Sequence, residues 1–169
     1  MALLAPKMLE QGLGAIRVNH VSIHADDLEE SARFYVEIFG MRRIPHPTFQ
    51  ERVVWLAVGD QQLHLFERHT DPPRYHHLGL DVDDFEAVYR VSKERGLLDG
   101  ETWHQAVRFH PAGWVQMYLR DPAGNLIEVD WPDVSTLSPD VVAEIGRLED
   151  ERPQQGDARL ATLYAGKQR

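Results

Sequence analysis

The sequence predicts an α+β fold: two βαβββ modules whose strands form one cupped mixed sheet, with a helix added at the C-terminus. Three observations carry that expectation. The stretch HVSIHADDLEESARFYVEIFG, His20 to Gly40, is mirrored by HLGLDVDDFEAVYRVSKERG, His77 to Gly96, with His opposite His and Asp-Asp opposite Asp-Asp. Three alternating stretches follow each helical stripe, and in this superposition Leu63 to Glu67 falls opposite Leu126 to Asp130, so His64 corresponds to Glu128. The repeat of about 57 residues thus carries its unusual polar groups at equivalent places, and 169 residues suffice to bury one sizeable core.

In chain order, residues 1 to 15 read as a loosely attached arm. Arg17 to Ala25 alternates, with Val18, His20, Ser22 and His24 on one face and Val21 and Ile23 on the other, which predicts a strand. Asp26 and Asp27 supply N-cap chemistry, Leu28, Ala32, Tyr35 and Phe39 follow at helical spacing, and Gly40 ends the helix. Strands are expected at 41–44, 52–58 and 61–67. The second copy begins at Tyr75, repeats the strand and helix to Gly96, and continues with strands at 101–106, 114–120 and 126–130. Asp121-Pro122-Ala123-Gly124-Asn125 is the turn between the last two. The modules span 17–67 and 75–131, one domain covering 17–131. Residues 132–169 form an appendix in which Ser138 and Pro139 open a helix to about Asp150, with Val141, Val142, Ile145 and Leu148 as its stripe and a polar tail beyond. Packing or a subunit contact is its expected role.

Composition excludes several classes of function. A formal charge of −9 with scattered Lys and Arg does not suit nucleic acid or an anionic membrane surface. No apolar run approaches the roughly 20 residues of a membrane span. The first residues, MALLAPKMLEQGLG, lack the apolar core and cleavage site of a signal peptide, and with no cysteine there is neither disulfide nor thiolate chemistry. The expected setting is cytoplasmic, with a small-molecule substrate, no nucleic-acid or membrane partner, and homodimeric assembly.

Nine histidines direct attention to metal. Alternation places His20, His77 and Glu128 on the faces opposite the aliphatic ones, where two modules can curl around a shared cavity. A carboxylate in so apolar a strand as Leu126 to Asp130 is costly unless paired or bound to a cation. Two imidazoles and a carboxylate form the facial set that suits non-haem Fe(II), with Mn, Zn, Ni and Co as alternatives. His64, alternating with Gln62 and Phe66, is a possible fourth ligand or an acid/base, and His110 and Tyr118 supply further proton-transfer groups. Phe66, Phe109 and Trp114 could line an apolar pocket for a flat ring. His76 falls on the face opposite His77, and His24, His46, His69 and His104 read as surface or loop residues.

This pattern resembles the vicinal oxygen chelate superfamily, the glyoxalase, bleomycin-resistance and dioxygenase group, over about residues 17 to 131. Within it, His110, Met117-Tyr118, Asp121-Pro122-Ala123-Gly124 and Glu128 are similar to the type I extradiol dioxygenase motif, and His76-His77-Leu78 resembles the stretch around that family's second iron ligand. Arg108 departs from the motif, standing where a smaller or aliphatic residue is usual. The resemblance implies iron at His20, His77 and Glu128, with His64, His110 and Tyr118 handling protons and substrate oxygens. It thus implies an Fe(II)-dependent ring-cleaving dioxygenase that consumes a catechol and dioxygen. A glyoxalase-like lyase or an epimerase, with His64 as fourth ligand, and a ligand-sequestering protein of the bleomycin-resistance kind are the alternatives.

Overall fold

A computed structural model describes residues 17–164; the expected arm at residues 1–15 and the last five residues lie outside them. The first module is β1 (His20–Ala25), α1 (Leu28–Phe39), β2 (Arg42–Ile44), β3 (Val53–Val58) and β4 (Gln61–Glu67). The second is β5 (His77–Asp81), α2 (Phe85–Glu94), β6 (Val107–Phe109), β7 (Val115–Arg120) and β8 (Leu126–Trp131). The second aspartate of each Asp-Asp pair caps its helix: Asp27 accepts from the backbone N–H of Glu29 and Glu30, and Asp84 from that of Ala87. Gly40, at a φ of 62°, takes the left-handed conformation that ends α1.

The strands form two sheets, not the expected single one. Their orders, β1-β4-β3-β2 and β5-β8-β7-β6, are the same, with one more strand beyond β6. The edge strands β1 and β5 are not joined by a ladder. Side chains couple the modules instead, mainly at the β7–β8 turn: the Tyr35 hydroxyl on α1 donates to Asp121 at 2.9 Å, and the Asn125 amide donates to the His24 carbonyl at 2.9 Å. Asp121 is buried, and burial raises its pKa above the ordinary carboxylate value despite the donors around it. Tyr35→Phe is expected to cost about 1.5–3 kcal/mol, the worth of a hydrogen bond to a charged group, read from urea unfolding at neutral pH.

The aliphatic faces pack as expected. Leu63 and Leu65 in the first sheet and Val115, Met117, Leu119, Ile127 and Val129 in the second are almost fully buried, together with Tyr35 of α1 and Phe85 of α2. This leaves the other face of each sheet to carry the polar residues. Phe109 belongs to the aliphatic side, because it pairs with Val115, and so does not line the polar face.

Two expected elements fall elsewhere. The strand expected at 101–106 begins at Val107, because Asp99 accepts from the backbone N–H of Glu101 and Thr102 and turns the chain there. The expected C-terminal helix to Asp150 is broken into α3 (Pro139–Val142), β9 (Gly146–Arg147) and α4 (Leu148–Glu151). Residues 146 and 147 pair in parallel with Arg108 and Phe109 at the sheet edge, so their backbone bonds are spent on a strand. Ser138 opens α3 without a side-chain cap bond, its hydroxyl donating to Glu86 at 2.7 Å.

Candidate metal and proton-transfer site

The polar faces present two pairs of ligand-type side chains, one on each sheet. On the second, Gly79, Glu128 and Tyr118 share one row across β5, β8 and β7. Glu128 is only 6 % exposed. Tyr118 is the direct cross-strand neighbour of Glu128, and burial first, then the nearby carboxylate, drive the phenol far above its ordinary pKa, so Tyr118 stays protonated. His77, at the start of β5, places Nε2 at 3.1 Å from Glu128 Oε2. Its Nδ1 lies 2.9 Å from the Tyr75 carbonyl, which can only accept, so Nδ1 donates there.

At that distance the imidazole and the carboxylate hold either a proton or a cation between them. Neighbouring donors in a coordination shell with bonds of about 2.1 Å sit about 3 Å apart, so the pair fits two positions on a divalent metal. The first sheet supplies the other pair: the His20 and His64 rings stack at 4.5 Å, and the Asn19 amide oxygen accepts from His20 Nδ1 at 2.5 Å, freeing Nε2. By donor type all four side chains fit a divalent metal. By position they do not gather: among the described residues, no three His, Asp or Glu side chains are grouped to hold an ion. His20 stands on β1 in the first sheet and the His77–Glu128 pair on β5 and β8 in the second.

Burial disfavours the charged form of both His64 and His110. His64 is 7 % exposed, stacked on Trp55 at 4.0 Å and donating from Nε2 to Gln62 at 2.8 Å; burial first, and His20 second, lower its pKa. His110 stacks on Trp114 at 3.6 Å and its Nε2 lies 3.3 Å from Gln116 Oε1; burial lowers its pKa, against an opposing pull from Gln116. In its neutral form each ring thus keeps Nδ1 as a free base. The sequence missed Gln62 and Gln116 as orienting groups, although each lies on the polar face of its strand. His24, expected at the surface, instead has Nε2 3.2 Å from the Ala123 carbonyl.

Lowered histidine pKa values fix a pH dependence. Between the folded values and the ordinary 6.5 or so, the unfolded chain binds more protons than the folded one, so stability rises with pH through that window and is lost as pH falls through it. Melting temperature is expected to drop from pH 7.5 to 5.5, and less steeply in a His64→Gln/His110→Gln variant. The capping and paired carboxylates with depressed pKa, such as Asp27, Glu29 and Asp140, lose their contribution only below about pH 4.5.

The glyoxalase model, described as the glyoxalase/bleomycin resistance protein/dioxygenase superfamily, matches residues 17–129. The chain belongs to that superfamily. It is 25% identical over 143 residues to the mitochondrial methylmalonyl-CoA epimerase of Homo sapiens, covering 72% of this chain and 80% of that one. Its fold is similar to a lactoylglutathione lyase from Agrobacterium tumefaciens, at a TM-score of 0.54 and 22% identity, covering 69% of this chain and 94% of that one. It is also similar to the oxidase ChaP-H2, at a TM-score of 0.57 and 21% identity over 72% and 99% of the two chains. Superfamily members typically bind a divalent metal. Among the described residues, no helix is long and apolar enough to cross a membrane.

Proposed function

We propose that this chain is a divalent-metal-dependent enzyme acting on a small molecule with two vicinal oxygens, and that its reaction is extradiol ring cleavage of a catechol by dioxygen. The observation that carries the reading is the cluster on the second sheet, where His77, Glu128 and Tyr118 meet and His110 stands with Gln116 on the same face. Fe(II) is the metal of this reading, with His77 and Glu128 as ligands and His20 as the third. Such a metal supplies charge stabilisation for the substrate oxygens. The protein's own part is proton handling: His64 Nδ1 takes a catechol proton, and His110, once protonated, returns one to the opening ring. Tyr118 keeps Glu128 oriented from directly across the strand pair. Trp114 and Trp55 hold the two acid/base rings by stacking. A homodimer in a cytoplasmic setting accompanies this reading.

A second reading is favoured by one specific observation, the likeness to methylmalonyl-CoA epimerase together with the His20–His64 pair. Here His64 joins the ligand set and the reaction is proton transfer next to a carbonyl, as in an epimerase or lyase. The deciding experiment loads the protein with Fe(II) anaerobically and then supplies catechols with oxygen, measuring oxygen uptake. In parallel, Co(II)-loaded protein is given thioesters of α-branched acids in D₂O, and exchange of the α-hydrogen is followed. Oxygen uptake with ring opening supports the first reading; exchange without oxygen uptake replaces it with the second.

A further inference from the structure

The C-terminal appendix crosses the face that carries Glu128. Register places Asp81, Asp130, Gln116 and Arg108 in a single row across β5, β8, β7 and β6, the row next to that of Gly79, Glu128 and Tyr118. The appendix touches both ends of that row. Glu151 Oε2 lies 3.2 Å from Arg108 Nη1, and the Tyr164 hydroxyl donates to Asp81 at 2.8 Å; between them the Trp114 indole donates to the Ala161 carbonyl at 2.9 Å. Residues 151 to 164 thus form a strap over the polar face, and the middle of the row, Gln116 and Asp130, is buried.

Arg108 is the cation under this strap. Its side chain is 11 % exposed, its Nη1 reaches the Trp103 carbonyl only at 3.5 Å, and its buried Nε has no hydrogen-bond partner among the described residues. A guanidinium so placed has donor capacity left for a second, planar acceptor. Glu151, by contrast, keeps 26 % of its side chain in solvent and is the last residue of a four-residue helix. Arg108 on β6 stands two strands across and one row along from Glu128 on β8, a backbone separation of about 12 Å.

We propose that Arg108 is the residue that reads a carboxylate on the substrate, and that Glu151 of the strap occupies its place until an anionic ligand displaces it. This rests on the proposed vicinal-oxygen site at Glu128 and names its substrate class: a molecule with two adjacent oxygens at one end and a carboxylate at the other, held by residues whose backbones are about 12 Å apart. No bond is made or broken; the ligand exchanges one carboxylate for another on the guanidinium, and the strap lifts. Lost pairing between Glu151 and Arg108 is then part of the cost of binding, as for any ligand that competes with an internal mimic.

The test uses phenylacetate and its uncharged isostere phenylacetamide, neither of which carries vicinal oxygens, so the result does not depend on metal or ring cleavage. Affinities are measured by titration calorimetry for the wild-type chain, Glu151→Gln and Arg108→Gln. Wild type is expected to prefer the carboxylate by about tenfold. Glu151→Gln should tighten phenylacetate by about fivefold and leave phenylacetamide unchanged. Arg108→Gln should erase the preference. Glu151→Gln lies at the surface and leaves the fold intact, so it decides the matter even if Arg108→Gln fails to fold. Equal binding of the two probes by Glu151→Gln, absence of binding, or a phenylacetate affinity unchanged from wild type overturns the proposal while leaving the reading of the Glu128 site untouched.

Discussion

Glu128→Ala is expected to abolish tight divalent-metal binding while the chain stays folded. The carboxylate is buried between His77 and Tyr118, and its loss removes one of the two donors held at shell spacing. Outer-shell changes alone typically cost 10–100-fold in metal affinity, so removing a ligand should cost at least about 100-fold. The fold survives because the aliphatic residues on the other face of β8, Ile127 and Val129, are untouched. Metal content after anaerobic loading, read beside circular dichroism, gives the answer. Undiminished stoichiometry in a folded variant would remove Glu128 from the ligand set.

His110→Gln is expected to keep metal and lose about 10²–10⁴ in turnover, the usual worth of an acid/base group. His110 is fixed by Trp114 and Gln116, and no ligand pair includes it. Tyr118→Phe is expected to behave differently. From sequence alone its hydroxyl is a group for the substrate; the structure sets it directly across from Glu128, so its removal should weaken metal by about 10–100-fold and lower turnover through the metal. Single-turnover oxygen consumption at saturating Fe(II) separates the two, since excess metal should rescue Tyr118→Phe and not His110→Gln. Rescue of both, or of neither, would show that the two residues do not divide the work in this way.

How much of this was legible beforehand depended on the kind of signal. The two modules were readable because their information is local and repeated: an Asp before each helical stripe, a glycine after the first, and strands with a period of two whose apolar half must face a helix. The same alternation put Tyr118 and Glu128 on one face, and a short turn between two strands left them little choice but to pair. Local signals failed where a distant group competed for the backbone. The stripe from Val141 to Leu148 reads as a helix, yet residues 146 and 147 gain more by extending the open edge at β6; the chain at 101–106 reads as a strand, yet the Asp99 carboxylate captures its N–H groups. By itself, then, the sequence determined the two modules, their caps, their buried faces and the identity of the residues able to hold a metal or move a proton. Only the tertiary structure decided that these residues stand as two pairs on separate sheets and that Tyr118 belongs to Glu128. It also laid the appendix over Arg108. The physical reason is that alternation fixes which face a side chain occupies, whereas the distance between faces is set by packing between edges, turns and tails that lie far apart in the chain.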